Sequence, residues 1–316
     1  MAIESEQRVQ RVAAGVGVRF APRRRIGTGW AMPYVLVSPA IVYMTALVGY
    51  PFLLAIYFSL SNASVQQTVS GFVGLDNFGR VVGDSLFQRA LLNSFIFTFG
   101  SGIFKGVLGV TLAFLMLRPF PARKVIRGLL MLPWTLPISL SVLGWQWMFD
   151  PQFSVINWIA GHLGLIQQPY PNWLGEPLYA MIAVMTVNIW RGFPFTAIIV
   201  LAGLTSIPSE IIDSAKVDGA GFFKRWNMII VPMIMPILFV GLLFDMVFTF
   251  TDLSVVYLLT KGGPPDGPTD ILPTLAFRVG ILGGDLSRGS AIALFMFPLL
   301  FLAVIFMLRY LKRRDV

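Results

Sequence analysis

Cysteine is absent from the sequence of 316 residues, and histidine occurs once, as His162. Without cysteine the chain can form no disulfide, iron–sulfur cluster, thiol nucleophile or zinc–cysteine site, and one histidine cannot form a histidine metal cluster. The sequence also has no G-x-x-x-x-G-K-[ST] phosphate loop, which excludes ATP hydrolysis by that mechanism. We therefore expect no metal, no cofactor and no catalytic site in this chain.

Charged residues are scarce as well, at 12% of the chain, where a soluble domain has about 25%. Hydrophobic residues make up 56%, and the mean hydropathy is +0.76. These values indicate an integral membrane protein. A net charge of +9 is also typical of nucleic-acid binding, but the cations lie at the edges of apolar segments and form no basic patch with interleaved aromatics. We expect no nucleic-acid partner.

Six apolar segments have about the 20 residues that a helix needs to cross the hydrocarbon layer. They predict an all-α membrane domain over residues 30–316, preceded by a basic segment, 1–29, without the apolar region of a cleavable signal peptide. The predicted spans are about 33–60, 90–117, 125–149, 177–204, 235–260 and 290–308. No internal repeat is evident, which disfavours a secondary transporter built from inverted halves.

The distribution of lysine and arginine predicts the orientation of these spans. With both termini in the cytoplasm, seventeen of the 24 cationic residues fall in cytoplasmic segments, five fall outside and two lie within spans. The opposite orientation would violate the positive-inside rule by the same margin. The sequence therefore predicts a cytoplasmic N terminus and a cytoplasmic C terminus.

One long polar segment, residues 207–236, lies between strongly apolar stretches, and we call it the docking loop. Its pattern predicts a helix that begins after Pro208, a corner at Gly219 and a second helix from Phe222 to Ile230, with Phe222, Phe223 and Trp226 on one face. A simple connection between spans needs only a few residues, so this length indicates a surface that binds another protein. An amphipathic connector lying in the membrane interface is the alternative interpretation.

Four charged residues lie within the predicted spans: Lys105, Arg191, Asp245 and Asp252. Each costs at least about 2.5 kcal/mol at the centre of the membrane unless it faces protein or water. Asp245 and Asp252 are seven residues apart, which predicts one helical face. One hypothesis is that the two cations and two anions pair across helices, and the other is that they line a path for a hydroxylated solute. The predicted path residues are Asn188, Trp190, Arg191, Asp245, Phe248, Thr249 and Asp252.

The docking loop resembles a known family. The run Asp213-Ser214-Ala215, three residues, Gly219, nine residues and Ile229-Ile230-Val231-Pro232 is similar to the EAA loop, E-A-A-x3-G-x9-I-x-L-P, of binding-protein-dependent ABC import permeases. Asp213, Ser214 and Val231 replace Glu, Ala and Leu. The stretches 72–78, 90–94 and 252–264 resemble permease subunits of the maltose, lactose and glycerol-phosphate importers.

This resemblance implies a six-helix importer permease bundle in a bacterial-type inner membrane. It implies four partners: a second permease subunit, two ATPase subunits that bind ATP and Mg²⁺, and an extracytoplasmic solute-binding protein. The residues expected to couple to the ATPase are Glu210, Asp213, Ser214, Ala215, Asp218, Gly219, Phe222 and Phe223. An ion-coupled carrier or channel remains the alternative function, because buried acids such as Asp245 and Asp252 also bind protons or cations. The sequence leaves the solute open.

Overall fold

The computed structural model describes residues 32–68, 71–119, 121–263 and 267–312. The predicted basic segment 1–29 and the last cations of the chain lie outside these residues. The described part divides into two units, one ending at Leu53 and one beginning at Leu54. Almost all of the regular structure is helical, apart from an isolated antiparallel bridge between Ser61 and Phe72.

The helices follow one another in this order. They are α1 (Met32–Ser59, with one wider turn at Thr45–Gly49), α2 (Asp76–Val82), α3 (Ser85–Leu117), α4 (Arg123–Leu130), α5 (Leu132–Thr135), α6 (Ile138–Met148), α7 (Val155–His162), α8 (Pro177–Thr205), α9 (Ser209–Val217), α10 (Phe222–Arg225), α11 (Val231–Phe250), α12 (Leu253–Thr260), α13 (Leu272–Phe277) and α14 (Leu286–Lys312). Wider turns at Trp226–Ile230 and Arg278–Leu282 follow α10 and α13.

Five helical segments in the described ranges are long and apolar enough to cross a membrane: 32–59, 85–117, 177–205, 222–260 and 286–312. The predicted third span, 125–149, is instead divided among α4, α5 and α6. Leu136 is extended there, with ψ near 140°, because it precedes Pro137, and a residue before proline avoids the helical conformation. The prediction of one continuous helix is therefore wrong, and the count of six spans remains a prediction.

The other predicted boundaries differ from the structure mostly at helix ends. The second span begins at Ser85 rather than about residue 90, because the Asp84 carboxylate accepts a hydrogen bond from the Leu86 amide at 2.9 Å and so caps the helix. The last span begins at Leu286, four residues before its predicted start. The fourth span matches its prediction within one residue.

The core of the bundle lies along α3, which packs against α8 and α12 in one group of buried side chains and against α13 and α14 in another. One buried cluster is centred on Phe97, Val184 and Val255, and a second on Phe87, Phe250 and Leu272. At Gly192 of α8 a Cβ atom would lie 2.7 Å from Cδ of Lys105. The missing side chain of Gly192 therefore leaves the space in which the long side chain of Lys105 crosses toward the next helix.

Candidate solute path and docking loop

A cavity of about 390 Å³ lies among α3, α5, α6, α8, α11 and α12, and we call it the polar cavity. It contains all four charged residues that the sequence places within the spans. Its lining consists of Lys105, Trp134, Ile138, Asn188, Arg191, Gly192, Asp245, Phe248, Thr249, Thr251, Asp252, Leu253 and Ser254. Six of the seven predicted path residues are in this set, so the structure brings them together from two separate spans.

Lys105 is the most buried charge of the polar cavity, with 2% of its surface exposed. Its Nζ donates to Oδ1 of Asp245 at 2.7 Å and to Oγ1 of Thr249 at 2.7 Å. The ion pair satisfies both charges inside the bundle, as the pairing hypothesis predicts for these two residues. Lys105 was not among the predicted path residues, although its charge within an apolar span is the signal that could have placed it there.

Asp252 occupies a break between α11 and α12 rather than a position inside a helix. Its Oδ1 accepts hydrogen bonds from the amides of Ser254 at 3.0 Å and Val255 at 3.1 Å, which caps α12. Its Oδ2 accepts from Nδ2 of Asn188 at 3.0 Å. The prediction that Asp245 and Asp252 share one helical face is wrong, because Asp252 ends the periodicity by capping a new helix. Both residues line the polar cavity nevertheless.

Arg191 differs from the other three charges of the polar cavity. Within the described ranges no carboxylate lies within ion-pair distance of its guanidinium, and its Nε is buried without a hydrogen-bond partner. The guanidinium carbon lies 5.9 Å from the ring centre of Trp134, which stacks on Phe195 with the ring centres 4.6 Å apart. The hypothesis that both cations pair with both anions is therefore right for Lys105 and wrong for Arg191.

Trp190 is the predicted path residue that does not line the polar cavity. It packs edge-on against Trp145, with ring centres 5.6 Å apart, and both border an apolar groove of about 530 Å³ formed with Phe104, Ile182 and Phe193. Successive residues of a helix point about 100° apart, and here Trp190 turns toward the apolar groove while Arg191 turns toward the polar cavity. Sequence reasoning missed Trp134, which no intramembrane charge or spacing marked in advance.

The docking loop has the predicted sequence of a helix, a corner and a second helix. Helix α9 ends at Val217, and Gly219 has φ +73°, a left-handed conformation that favours glycine. The Gly219 amide donates to the Lys216 carbonyl at 3.0 Å, and the Ala220 amide donates to the Ala215 carbonyl at 2.9 Å. These two bonds close the C-terminal end of α9 and turn the chain into α10.

Most of the predicted coupling residues form the exposed side of the docking loop. Ala215 is buried, at 6% exposure, and marks the side that faces the protein. Phe222 and Trp226 both contact Phe114 of α3, with ring centres 6.2 and 5.1 Å apart. Phe223 is 77% exposed, so the predicted three-residue aromatic face is wrong at this position. The exposed predicted residues are Glu210, Asp213, Ser214, Asp218, Gly219, Phe222 and Phe223.

The fold and this site define a multi-pass membrane permease with a helical loop held outside the spans. Residues 105–315 match the family described as the inner membrane component of binding-protein-dependent transport systems. The chain belongs to this family, which confirms the resemblance seen in the docking loop. The match begins within α3 and covers α4 to α14, the polar cavity and the docking loop, and it favours an importer permease over an ion-coupled carrier or channel.

Curated relatives extend over most of the chain. It is 31% identical over 286 residues to the trehalose/maltose transport system permease protein MalF of Thermococcus litoralis, covering 89% of this chain and 94% of the relative. It is 29% identical over 308 residues to the diacetylchitobiose uptake system permease protein DasB of Streptomyces coelicolor, covering 95% and 92%. These proteins are named as permeases of sugar transport systems.

Solved structures share the fold. One chain from a bacterial ABC transporter involved in the import of the acidic polysaccharide alginate superposes with a TM-score of 0.74 at 22% identity. The superposition covers 89% of this chain and 95% of that chain. This similarity confirms the predicted all-helical permease fold.

Proposed function

We propose that this chain is the membrane-spanning subunit of an ATP-driven importer for a sugar or sugar-like solute. A second permease subunit would complete the path, and an extracytoplasmic binding protein would deliver the solute. The names of the relatives that transport trehalose, maltose and diacetylchitobiose support the solute class. An alginate importer was solved in complex with its periplasmic protein, and this complex supports the delivery step.

The observation that carries this proposal is the polar cavity within the apolar spans. A transporter of hydroxylated solutes needs hydrogen-bonding groups inside the membrane. Such groups are costly there unless they face a water-filled path or pair with another polar group. Asn188, Arg191, Asp245, Thr249 and Asp252 supply donors and acceptors in the lining of the polar cavity. Phe248, 57% exposed, and Trp134 add apolar ring faces of the kind on which sugars stack.

The docking loop is proposed to transmit the energy. Its exposed residues, Asp213 and Phe223 among them, would lie against a cytoplasmic ATPase subunit, which binds ATP and Mg²⁺ in place of this chain. Movement of that ATPase would tilt α9 and, through the continuous turn at Trp226–Ile230, shift α11 and the Asp245 and Thr249 side of the polar cavity. The docking loop and the polar cavity are connected through α10, the turn at Trp226–Ile230 and α11, which follow one another without a break from Phe222 to Phe250.

Both termini are proposed to be cytoplasmic, as the cation distribution predicts. Because the chain has no cysteine, single cysteines can test this orientation. Cysteines at the exposed positions Gln67 and Gln168 should react with an impermeant maleimide in intact cells, whereas cysteines at Ala13, Ser214 and Val316 should not. The inverse labelling pattern would overturn the orientation.

The solute path is tested by Asp252→Asn in the assembled transporter. The substitution keeps the shape of the side chain but removes a charged acceptor, so we expect near-normal yield and altered ATPase stimulation by some solutes more than others. Asp76→Asn, at an exposed position that begins α2, is the matched control and should change neither property. A lost yield with an unchanged solute response would remove Asp252 from the path.

A further inference from the structure

The four charged side chains of the polar cavity differ in their hydrogen bonds and ion pairs, and one of them has donors that a ligand could use. Lys105 contacts both Asp245 and Thr249, at 2.7 Å each. Asp252 accepts three hydrogen bonds, two from the backbone of α12 and one from Asn188. In the described part of the chain, Arg191 alone among these four residues has neither an ion pair nor a hydrogen bond.

A guanidinium inside a membrane protein keeps its charge and presents donors in a rigid, planar fork. Leaving the buried Nε of that fork without an acceptor is costly, because a desolvated donor loses its hydrogen bond to water and gains none from the protein. The guanidinium carbon lies 5.9 Å from the centre of the Trp134 ring, and this aromatic face attracts the cation but accepts no bidentate hydrogen bond. The geometry therefore leaves the donors of Arg191 that face the polar cavity available to a solute.

The local field also favours an anion beside Arg191. Lys105 and Asp245 form a contact pair, so their charges largely cancel beyond the pair itself. Asp252 lies at the N-terminal end of α12, where the helix dipole contributes about half a positive charge and offsets part of the carboxylate. With Arg191 included, the four formal charges sum to zero, so this dipole leaves the polar cavity with about half a positive charge. A planar oxyanion matches the guanidinium fork with two parallel hydrogen bonds.

We propose that Arg191 selects solutes that carry an oxyanion, in the simplest case the carboxylate of a sugar acid, which would bind its guanidinium inside the polar cavity. This inference rests on the proposed function, since it requires the polar cavity to lie on the solute path. Thr251 and Ser254 would meet the hydroxyl groups of the same solute, and Phe248 would contact its ring. Arg191 is thereby a specificity-determining residue rather than a structural one.

The test uses the purified transporter with all its subunits and two probes that differ in one group, cellobiose and cellobiouronic acid. Titration calorimetry on the complex, without the binding protein, should show that the acid binds about 10- to 100-fold more tightly. Arg191→Gln should abolish that preference by weakening the acid alone, and Arg191→Lys should retain part of it. Arg80→Gln, which removes an exposed cation on α2, is the control and should leave both affinities unchanged.

Two results would overturn the inference in different ways. Equal binding of the two sugars to the unmodified complex, or equal weakening of both by Arg191→Gln, would reject anion selectivity while leaving the polar cavity on the solute path. No effect of Arg191→Gln on either sugar, together with an unchanged solute response of Asp252→Asn, would reject the path itself. Complex yield measured beside each titration separates these results from a folding defect.

Discussion

The two ends of the helical segment 222–260 are held in different ways. Beyond its C-terminal end, residues 267–272 bond to a distant helix: Nδ2 of Asn93 donates to the carbonyls of Pro268 at 2.8 Å and Asp270 at 2.9 Å, and the Leu272 amide donates to Oγ of Ser94 at 2.8 Å. Before its N-terminal end, the described hydrogen bonds of residues 209–225 join positions no more than five apart.

The C-terminal side, which we call the fixed end, is therefore attached to the bundle by long-range hydrogen bonds, whereas the docking loop is held mainly by bonds within itself. Bonds between distant parts of the sequence hold residues 267–272 against α3, so the position of these residues depends on the packing of the bundle. The docking loop keeps its shape through local bonds and touches α3 mainly through the contacts of Phe222 and Trp226 with Phe114. A segment that is internally ordered but weakly attached can move as a unit when a partner pulls on it. The variants below alter one kind of attachment at a time.

The largest loss of stability is expected from Lys105→Met, which breaks the long-range ion pair inside the bundle. The Asp245 carboxylate would remain buried without its cation, and breaking such a pair costs about 3–5 kcal/mol. The yield of assembled complex should fall severely. Lys216→Met is the control, because its pair with Asp213 is local and exposed, and it should leave the yield unchanged. A normal yield for Lys105→Met would contradict the structural importance of the pair.

At the fixed end, Asp270 should make stability depend on pH. Burial raises the pKa of the Asp270 carboxyl from 3.8 to about 6, although the neighbouring Arg278 guanidinium acts in the opposite direction. The folded protein therefore binds a proton at Asp270 more strongly than the unfolded chain does. The resulting stabilisation is present at low pH and is lost as pH rises from about 4 to about 6, by roughly 3 kcal/mol.

Asp270→Asn removes this titration, so its apparent melting temperature should lack the decline that the unmodified complex shows between about pH 4 and pH 6. The comparison is made on the purified complex at both ends of that range, with Asp76→Asn as the control for a carboxylate that is exposed. An identical pH dependence in Asp270→Asn and the unmodified protein would show that Asp270 does not titrate in this window.

A smaller change in stability, with a large change in transport, is expected at Gly219, the corner of the docking loop. Gly219 has φ +73°, and a β-branched side chain there costs on the order of 1 kcal/mol or more. Gly219→Val should tilt α9 away from its partner, so transport should fall while membrane insertion stays normal. Gly221→Val is the matched control, because φ is −65° and the space is open. Full transport by Gly219→Val would contradict the proposed role of the docking loop in coupling to the ATPase.

Local signals made the docking loop predictable from sequence. Pro208 at its start, glycine at the corner and the spacing from Asp213 to Pro232 each act within a few residues, and the structure has the predicted helix, turn and helix. The polar cavity was predictable in composition, since charged residues in apolar spans must face protein or each other. Six of its predicted residues came together on that argument alone.

What sequence reasoning missed depends on tertiary contacts or on competing local interactions. Whether Arg191 finds a carboxylate depends on the distance between two helices, which periodicity does not report. The aromatic partner Trp134 comes from α5, a helix of four residues inside a segment that hydropathy describes as one span. The break at Asp252 arises because its side chain accepts hydrogen bonds from the backbone and so caps α12. Hydropathy averaged over the whole span does not show such a local interaction.

The smallest change in stability is expected at the exposed Asp213–Lys216 pair of the docking loop. The two side chains are 65% and 54% exposed and lie 2.7 Å apart, and such pairs contribute about 0.5 kcal/mol or less. Asp213→Ala and Lys216→Ala should both leave the melting temperature of the complex unchanged. If Asp213 contacts the ATPase, only Asp213→Ala should lower transport and ATPase stimulation. Equal losses in both variants would assign the effect to the local ion pair, and full activity in both would remove Asp213 from the docking surface.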